Sequence, residues 1–392
     1  MIVDFNKKNK IDFSGFVKFN PFYLKSMFSN TDVSPFWVAE TDFLAPPGVS
    51  EALKKIANQG IYGYQYKTPD LKLSLTGWFK IRHNLTLETS GLLFTTSVLT
   101  GLAAIIDEFS VAGDGVIIQP PVYSEFKSII KNLNRQVINN PLKITDGKYR
   151  IDFEDLEKKA SSGTNRIMIL CNPHNPVGRV WTTEELRQVS DICIVNNVLL
   201  LSDEIHADII FSGHTFNSIM SLEEDYTNAS IMLGSPGKTF GIPGIADAFI
   251  YAPNNALRET IKSRIMRFRL GKSNAFTNAA AQAAWLSGGE WLDDMINYLE
   301  NTIHYIEIFI KEELPDITLT IPEGTYQIWL DFRKLRLDEK ELKYLLTKKA
   351  MLGINMGRQY GSEGSGFARM NIASPLSMIQ QAMEQLKTAI ND

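Results

Sequence analysis

The sequence is poor in cysteine and lacks any long apolar run. Its two cysteines, Cys171 and Cys193, stand in neither a C-x-x-C nor a Cys/His metal spacing, so we expect no metal site. No segment is apolar over the length that a bilayer requires, and the first residues, MIVDFNKKNK, lack the hydrophobic stretch of a signal peptide. We therefore expect a reduced, cytoplasmic protein with no membrane partner.

Clustered basic charge is also absent. The chain has 40 Lys and Arg against 44 Asp and Glu, for a net charge of −4, which argues against nucleic acid as a partner. Neither repeats nor low-complexity segments occur, which argues against a solenoid or a fibrous protein. A length of 392 residues with 44% apolar content suits one large α/β domain with a smaller companion.

One lysine, Lys238, lies in the glycine- and proline-rich segment Ile231–Gly244, IMLGSPGKTFGIPG. These residues predict a tight, irregular loop after a short buried strand. A lysine held away from water on such a loop can act as a nucleophile, because desolvation lowers the pKa of its amine. The alternative is a surface lysine in a flexible turn.

Two earlier apolar runs also end in polar clusters. The run of residues 167–170 leads into CNPHNPVG, which contains Asn175, and the run of residues 198–201 leads into SDEIH, which contains Asp203. In a doubly wound α/β sheet, ligands bind at the carboxyl ends of parallel strands. We therefore expect Asn175, Asp203 and Lys238 to meet at one edge of a sheet.

The motifs N-P-x-N-P-x-G, S-D-E-I-H and S-x-x-K, in this order, resemble those of the fold-type I pyridoxal phosphate (PLP) enzymes of the class I/II aminotransferase type. The resemblance extends along nearly the whole chain. It implies an α/β fold whose large domain has a mostly parallel seven-stranded sheet flanked by helices, with a smaller α/β C-terminal domain. It assigns residues 1–45 to an N-terminal arm and part of the small domain, 46–285 to the large PLP-binding domain and 286–392 to the small domain.

The resemblance also assigns Lys238, Tyr123 and Asp203 as catalytic residues. Lys238 binds PLP covalently and later removes the α-proton as a general base, whereas Asp203 keeps the ring nitrogen protonated. Tyr123 stacks on the ring, and Asn175 and His206 donate to its phenolic oxygen. The alternatives are a helix N-cap for Asp203, a buried structural tyrosine for Tyr123 and a structural histidine for His206.

The phosphate of PLP is expected at the start of a helix. The strand of residues 92–96 leads into a helix whose backbone N–H groups at Ser97, Val98 and Leu99 suit an anion. Ser235 adds a hydroxyl group. Where many members of the family place a further arginine, this chain has Ala246.

The loop of residues 60–66, GIYGYQY, is similar to one from which a tyrosine reaches the PLP phosphate of the neighbouring subunit. Tyr64 holds that position, which implies an obligate homodimer. Arg369, in GFARMN, matches the arginine that binds the substrate α-carboxylate through two hydrogen bonds. Asn172 and Tyr360 are expected to line the same substrate pocket.

The segment FWVAETDF, residues 36–43, resembles the opening of the MalY/PatB-type cystathionine β-lyases, although Glu40 and Thr41 replace an Asp and a Met. A packed aromatic arm is a compatible interpretation. The resemblance implies β-elimination from L-cystathionine or other cysteine S-conjugates, which yields a thiol, pyruvate and ammonia. The alternatives are an aminotransferase that uses 2-oxoglutarate and a regulatory, protein-binding member of the same fold.

Overall fold

The computed structural model describes residues 3–391. Its α-helices are, in chain order, α1 Pro21–Phe28, α2 Pro47–Gln59, α3 Pro69–His83, α4 Val98–Phe109, α5 Ser124–Asn132, α6 Phe153–Ala160, α7 Thr183–Val195, α8 Glu224–Asn228, α9 Pro236–Thr239, α10 Asn255–Phe268, α11 Ala275–Ser287, α12 Gly289–Glu313, α13 Glu339–Tyr344 and α14 Leu376–Asn391. Its strands are β1 Ser34–Pro35, β2 Leu92–Thr95, β3 Gly115–Ile118, β4 Gln136–Asn139, β5 Lys143–Thr145, β6 Lys148–Arg150, β7 Asn165–Cys171, β8 Leu199–Asp203, β9 Ser230–Gly234, β10 Ala248–Tyr251, β11 Thr318–Thr320, β12 Gln327–Asp331, β13 Leu352–Gly353, β14 Asn355–Met356 and β15 Phe367–Asn371. Within this described range, every helix is too short or too polar to cross a bilayer.

The central sheet confirms the predicted seven-stranded, mostly parallel architecture. Its strand order is β2-β10-β9-β8-β7-β3-β4, and β10 runs antiparallel to both of its neighbours. The neighbouring strands β7, β8 and β9 are parallel, so their carboxyl ends lie side by side. In this register Cys171 lies opposite Asp203, and Asp203 lies opposite Leu233.

Helices cover both faces of this sheet, as predicted. Alternate residues of β7 enter two different apolar clusters: Ile167 and Ile169 pack with residues of α4, α5 and α10, whereas Met168 and Leu170 pack with residues of α3 and α7. A strand buried on both faces needs apolar side chains at every position, which explains the unbroken apolar runs in the sequence.

A second sheet lies C-terminal to the first, with the antiparallel order β11-β12-β15-β14. Arg369 of β15 pairs with Trp329 of β12 in this sheet. The short strand β1 pairs with β13, so the N-terminal arm joins the C-terminal part of the chain. The division of the chain at residues 45 and 285 stays a prediction.

Near the N-terminus and around Lys238, the local structure differs from the expectation. Part of the N-terminal arm, for which no helix was predicted, forms α1, whose first turn is capped by the Asn20 side chain. Lys238 lies in the one-turn helix α9 instead of an irregular loop. Pro236 stands at the first position of that helix, where proline is tolerated because its missing N–H would have no partner.

Gly288 separates the consecutive helices α11 and α12, and a Cβ atom there would lie 2.3 Å from the ring of Phe240. Helix α13 ends at Tyr344 and is followed directly by a π-helical turn, Leu345–Lys349.

Candidate active site

A cavity of about 200 Å³ opens at the carboxyl ends of β7, β8 and β9. It is lined by Ala39, Thr96, Ser97, Val98, Leu99, Tyr123, Cys171, Asn175, Asp203, Ile205, His206, Ser235, Gly237, Lys238, Pro243 and Ala246. The structure thus brings most of the predicted site residues together at one cavity. Within the described residues, the predicted members that do not line the cavity are Tyr64, Asn172, Tyr360 and Arg369.

Lys238 extends from α9 into this cavity, and its amine donates a hydrogen bond to the backbone oxygen of Ala39, 2.5 Å away. Burial and the positive charge of Arg369 lower the pKa of the amine, Glu40 and Asp203 act in the opposite direction, and the net result is a pKa of about 8. More of the amine is therefore uncharged near neutral pH than in an ordinary lysine, whose pKa is about 10.4, although the protonated form still predominates. An uncharged amine is the form that attacks a carbonyl carbon.

Asp203, the last residue of β8, is a buried carboxylate with few partners. It is 4% exposed and accepts a hydrogen bond from the N–H of Ile205, 3.2 Å away. Among the described residues, no cationic side chain forms an ion pair with it. Burial accordingly raises the pKa of Asp203 to about 7. A cationic group bound beside this carboxylate would reverse that shift.

Two helices begin at the cavity. Ser97 caps α4 by accepting from the N–H of Thr100 at 3.0 Å, and Ser235 caps α9 by accepting from the N–H of Gly237 at 3.1 Å. The first N–H groups of a helix have no partner within the helix, so those at Val98 and Leu99 suit an anion. The Ser235 hydroxyl donates to a backbone oxygen in this structure, so a bond to an anion requires the hydroxyl to rotate.

Three further side chains, those of Tyr123, His206 and Asn175, form a wall of the cavity. Burial raises the pKa of Tyr123 to about 12, so its hydroxyl group stays protonated. Burial also lowers the pKa of His206 to about 3, which leaves a neutral imidazole whose Nδ1 atom has no partner among the described atoms. The amide oxygen of Asn175 accepts from Arg369 at 3.3 Å, which leaves its NH₂ group for a ligand.

Arg369 reaches this wall from the second sheet, although it does not line the cavity. It is 3% exposed, and its guanidinium group donates to Trp37 O at 2.5 Å and to Asn355 Oδ1 at 3.0 Å. Its Nε–H has no partner within the described part of the chain. Tyr360 lies beneath the guanidinium group, with the ring centre 5.2 Å away, so it contacts Arg369 instead of the cavity.

Two predicted residues lie elsewhere. Asn172 is fully buried, and both ends of its amide are used: the NH₂ group donates to Asn217 O at 2.8 Å and the oxygen accepts from Trp181 N at 3.4 Å. The structure therefore gives no support to a substrate-binding role for Asn172. Tyr64 is 93% exposed on the loop between α2 and α3, with the Lys272 amine 4.9 Å from its ring centre.

Two structural contributions to the site were not predicted from the sequence. One is the backbone oxygen of Ala39, because a carbonyl group gives no signal in a sequence. The other is a partly buried ion pair between Lys67 and Asp247, whose neighbour in the chain, Ala246, lines the cavity. The signal for this pair was a lysine directly after the tyrosine-rich loop of residues 60–66.

Residues 34–386 match the model of the class I and II aminotransferase family. The chain belongs to this family. Cystathionine β-lyase PatB of Bacillus subtilis is 38% identical over 367 residues, which are 93% of this chain and 94% of the relative. Protein MalY of Escherichia coli is 30% identical and covers 94% of each chain. These similarities confirm the predicted MalY/PatB-type group within the aminotransferase family.

The crystal structure of cystalysin from Treponema denticola superimposes on this aminotransferase-family chain with a TM-score of 0.94, at 34% identity and over the full length of both. That crystal structure contains a pyridoxal 5′-phosphate cofactor. The similarity confirms the predicted fold-type I architecture.

The cavity residues of this family member fit pyridoxal phosphate by their own chemistry. The Asp203 carboxylate, which forms no ion pair within the described residues, matches a protonated ring nitrogen, and the Lys238 amine, with its lowered pKa, matches an aldehyde. The helix start at Ser97 matches a phosphate group. These three features suit a cation, an electrophile and an anion. Pyridoxal phosphate carries all three, as its protonated ring nitrogen, its aldehyde and its phosphate group.

Proposed function

We propose that this chain is a PLP-dependent carbon–sulfur lyase that acts by β-elimination on L-cystathionine or other cysteine S-conjugates. One observation carries the proposal: an amine with a lowered pKa, at Lys238, shares a cavity with a buried carboxylate that lacks a cation, at Asp203. The similarity to cystathionine β-lyase PatB supports this reaction over others that the same cofactor allows.

In the proposed complex, Asp203 holds the ring nitrogen, and Tyr123 packs against the face of the ring. Asn175 and His206 donate to the phenolic oxygen. The phosphate is held by the backbone N–H groups at Ser97, Val98 and Leu99, with the Ser235 hydroxyl beside them.

When bound, PLP withdraws electrons from the α-carbon of an attached amino acid and so acidifies its α-proton. The amine of Lys238 accepts that proton as a general base. Arg369 holds the α-carboxylate, for which its unpaired Nε–H and planar guanidinium group are suited. Loss of the α-proton and departure of the sulfur from the β-carbon, followed by hydrolysis, convert the S-conjugate and water into a thiol, pyruvate and ammonia.

The proposal includes a cytoplasmic homodimer in which Tyr64 reaches the site of the partner subunit. The exposure of Tyr64, together with that of Ile61, Tyr62 and Tyr66 on the same loop, supports a surface that a second copy covers. Two contacts hold the C-terminal end of this loop in place. The backbone oxygen of Tyr66 accepts a hydrogen bond from the Asn278 side chain at 3.4 Å, and Lys67 forms an ion pair with Asp247.

The test is a thiol-release assay with the purified, PLP-loaded protein. The substrates are L-cystathionine, cysteine, S-alkyl cysteines and a peptide S-conjugate, each without an added oxo acid. We expect equal amounts of thiol, pyruvate and ammonia from at least one of them. Lys238→Ala abolishes this release, whereas Lys262→Ala, which removes an exposed lysine of α10, leaves it unchanged.

Two other results would favour the alternatives. Conversion of an amino acid with 2-oxoglutarate, with no thiol released from any conjugate, would identify an aminotransferase. Capture of a protein partner that Lys238→Ala does not affect would indicate an additional regulatory role.

A further inference from the structure

Asp208 is a buried carboxylate that lies outside the cavity, five residues after Asp203. It is 8% exposed, and three side chains donate to it. Thr239 Oγ1 lies 2.6 Å from one carboxylate oxygen, whereas Trp78 Nε1 at 2.9 Å and His83 Nε2 at 2.7 Å contact the other. Three donors on a buried carboxylate fix its orientation, and hydrogen bonds to an ionised acceptor are strong.

The bond to Thr239 joins two parts of the active site. Asp208 belongs to the turn that follows β8; His206 lies in the same turn, and Asp203 is the last residue of β8. Thr239 is 1% exposed and directly follows Lys238 in α9. One hydrogen bond therefore links the segment that would hold the cofactor ring to the helix that would attack its aldehyde.

The helix α9 needs such a link because it is only one turn long. A single turn fixes several backbone angles for one internal hydrogen bond, so it is not stable without external contacts. At its N-terminal end, Ser235 Oγ donates to Asp247 O at 2.8 Å. At its C-terminal end, Thr239 donates to Asp208, so Lys238 lies between two side-chain attachments.

We propose that Asp208 is a positioning residue, which holds the Lys238 amine in place relative to Asp203 through its hydrogen bond with Thr239. The proposal rests on the proposed function, in which these two groups act on one cofactor. A displacement of about 1 Å at a reacting group can lower a rate about 100-fold, so a single attachment of this kind affects turnover.

The test compares Thr239→Val, Thr239→Ser and a matched control, Ser218→Ala. Valine has nearly the volume of threonine and lacks the hydroxyl group, whereas serine keeps it. Ser218 donates to Glu204, another buried carboxylate of the same turn, at 2.7 Å, but it does not touch α9. Each of Thr239→Val and Ser218→Ala thus removes one hydroxyl donor from a buried carboxylate.

The first measurement uses the protein without cofactor. The pKa of the Lys238 amine is obtained from the pH dependence of its acylation by acetic anhydride, read by mass spectrometry of the peptide that contains it. We expect Thr239→Val to raise this pKa towards the ordinary value of lysine, because the amine leaves its buried position. We expect Thr239→Ser and Ser218→Ala to retain the wild-type value.

The second measurement is thiol release by the PLP-loaded proteins. We expect kcat to fall about tenfold or more in Thr239→Val with a much smaller change in KM, and to recover in Thr239→Ser. The melting temperatures of Thr239→Val and Ser218→Ala should fall by similar amounts. Equal amine pKa values and equal kcat values in Thr239→Val and Ser218→Ala would overturn the proposal.

The two proposals fail separately. If even the wild type releases no thiol, the proposed function is wrong, and the amine pKa in the cofactor-free variants still decides the role of Asp208. If Thr239→Val does not fold, Thr239→Ala takes its place, since it also removes the hydroxyl group that donates to Asp208. An unchanged Lys238 pKa in Thr239→Ala would then reject the positioning role.

Discussion

Lys238 and Arg369 contact the same short stretch of backbone, two residues apart. The Lys238 amine donates to Ala39 O at 2.5 Å, and the Arg369 guanidinium group donates to Trp37 O at 2.5 Å. The aromatic arm of residues 36–43 thus connects the predicted base with the predicted carboxylate-binding arginine. A collision would occur if Gly241 carried a side chain, because a Cβ atom there would lie 2.4 Å from the Thr41 hydroxyl of this arm.

Asn371 holds the arm in place, which leads to the first prediction. Its amide donates to Val38 O and to Glu40 O, both at 2.6 Å. Asn371→Ala leaves these carbonyl groups without that donor, so we expect a loss of about 2–4 kcal/mol in the free energy of unfolding. Denaturant titration measures the loss, and Asn301→Ala, which removes an exposed helix-surface amide, is the control. Equal effects of the two substitutions would show that the arm needs no such support.

The raised pKa of Asp203 predicts a pH-dependent stability of the protein without cofactor. The Asp203 carboxyl group binds its proton more tightly when folded than when unfolded, where its pKa is near 3.8. Its contribution to stability is therefore complete below about pH 4 and is lost as the pH rises to about 7. Relative to Asp203→Asn, the wild type should lose up to about 4 kcal/mol over this range.

Added PLP should abolish that trend in the wild type, because a protonated ring nitrogen stabilises the ionised carboxylate. The pKa of Glu204 is also raised to about 7 by burial, but Glu204 is present in both proteins and its contribution largely cancels. Denaturant titrations at several pH values measure the difference. A constant difference between wild type and Asp203→Asn without cofactor would contradict the assignment of Asp203.

The lowered pKa of Lys238 predicts how the cofactor-free protein captures PLP. Only the uncharged amine attacks the aldehyde, so the rate should rise with pH and level off above about pH 8. The Glu40 carboxylate raises the pKa of this amine, so Glu40→Gln should move the half-maximum to lower pH. Stopped-flow absorbance measures the rate, and Glu51→Gln, an exposed carboxylate paired with Lys54, should leave the profile unchanged. A shift to higher pH in Glu40→Gln would refute this account.

The partly buried pair of Lys67 and Asp247 predicts non-additive stability. Lys67→Met leaves Asp247 partly buried without its cation, which should cost about 1–3 kcal/mol, and Asp247→Asn should cost a similar amount. The double variant should be more stable than the sum of the single losses predicts, because neither charge remains unpaired. A double-mutant cycle in denaturant measures the coupling, and strictly additive losses would show that the two charges do not interact.

The strands of the site were predictable from the sequence because they are buried on both faces. The runs at 167–170 and 198–201 are apolar without interruption, and they lie in β7 and β8. Polar residues that follow such runs must lie at the sheet edge, which explains the correct placement of Asn175, Asp203 and Lys238 at one cavity.

Other features depend on contacts between distant parts of the chain. Asn172 has a suitable side chain three residues before Asn175, but Trp181 and Asn217 occupy its amide. The break at Gly288 reflects the ring of Phe240, and the pair of Lys67 and Asp247 joins residues 180 positions apart. A pattern within one segment carries no information on such partners.

Reductive trapping tests the central claim most directly. The PLP-loaded protein is treated with sodium borohydride, digested and mapped by mass spectrometry. The account predicts one phosphopyridoxyl group, attached to the peptide that contains Lys238, and none on any peptide of Lys238→Ala. A modified lysine elsewhere, or no modified lysine in a protein that still binds PLP and releases thiol, would contradict it.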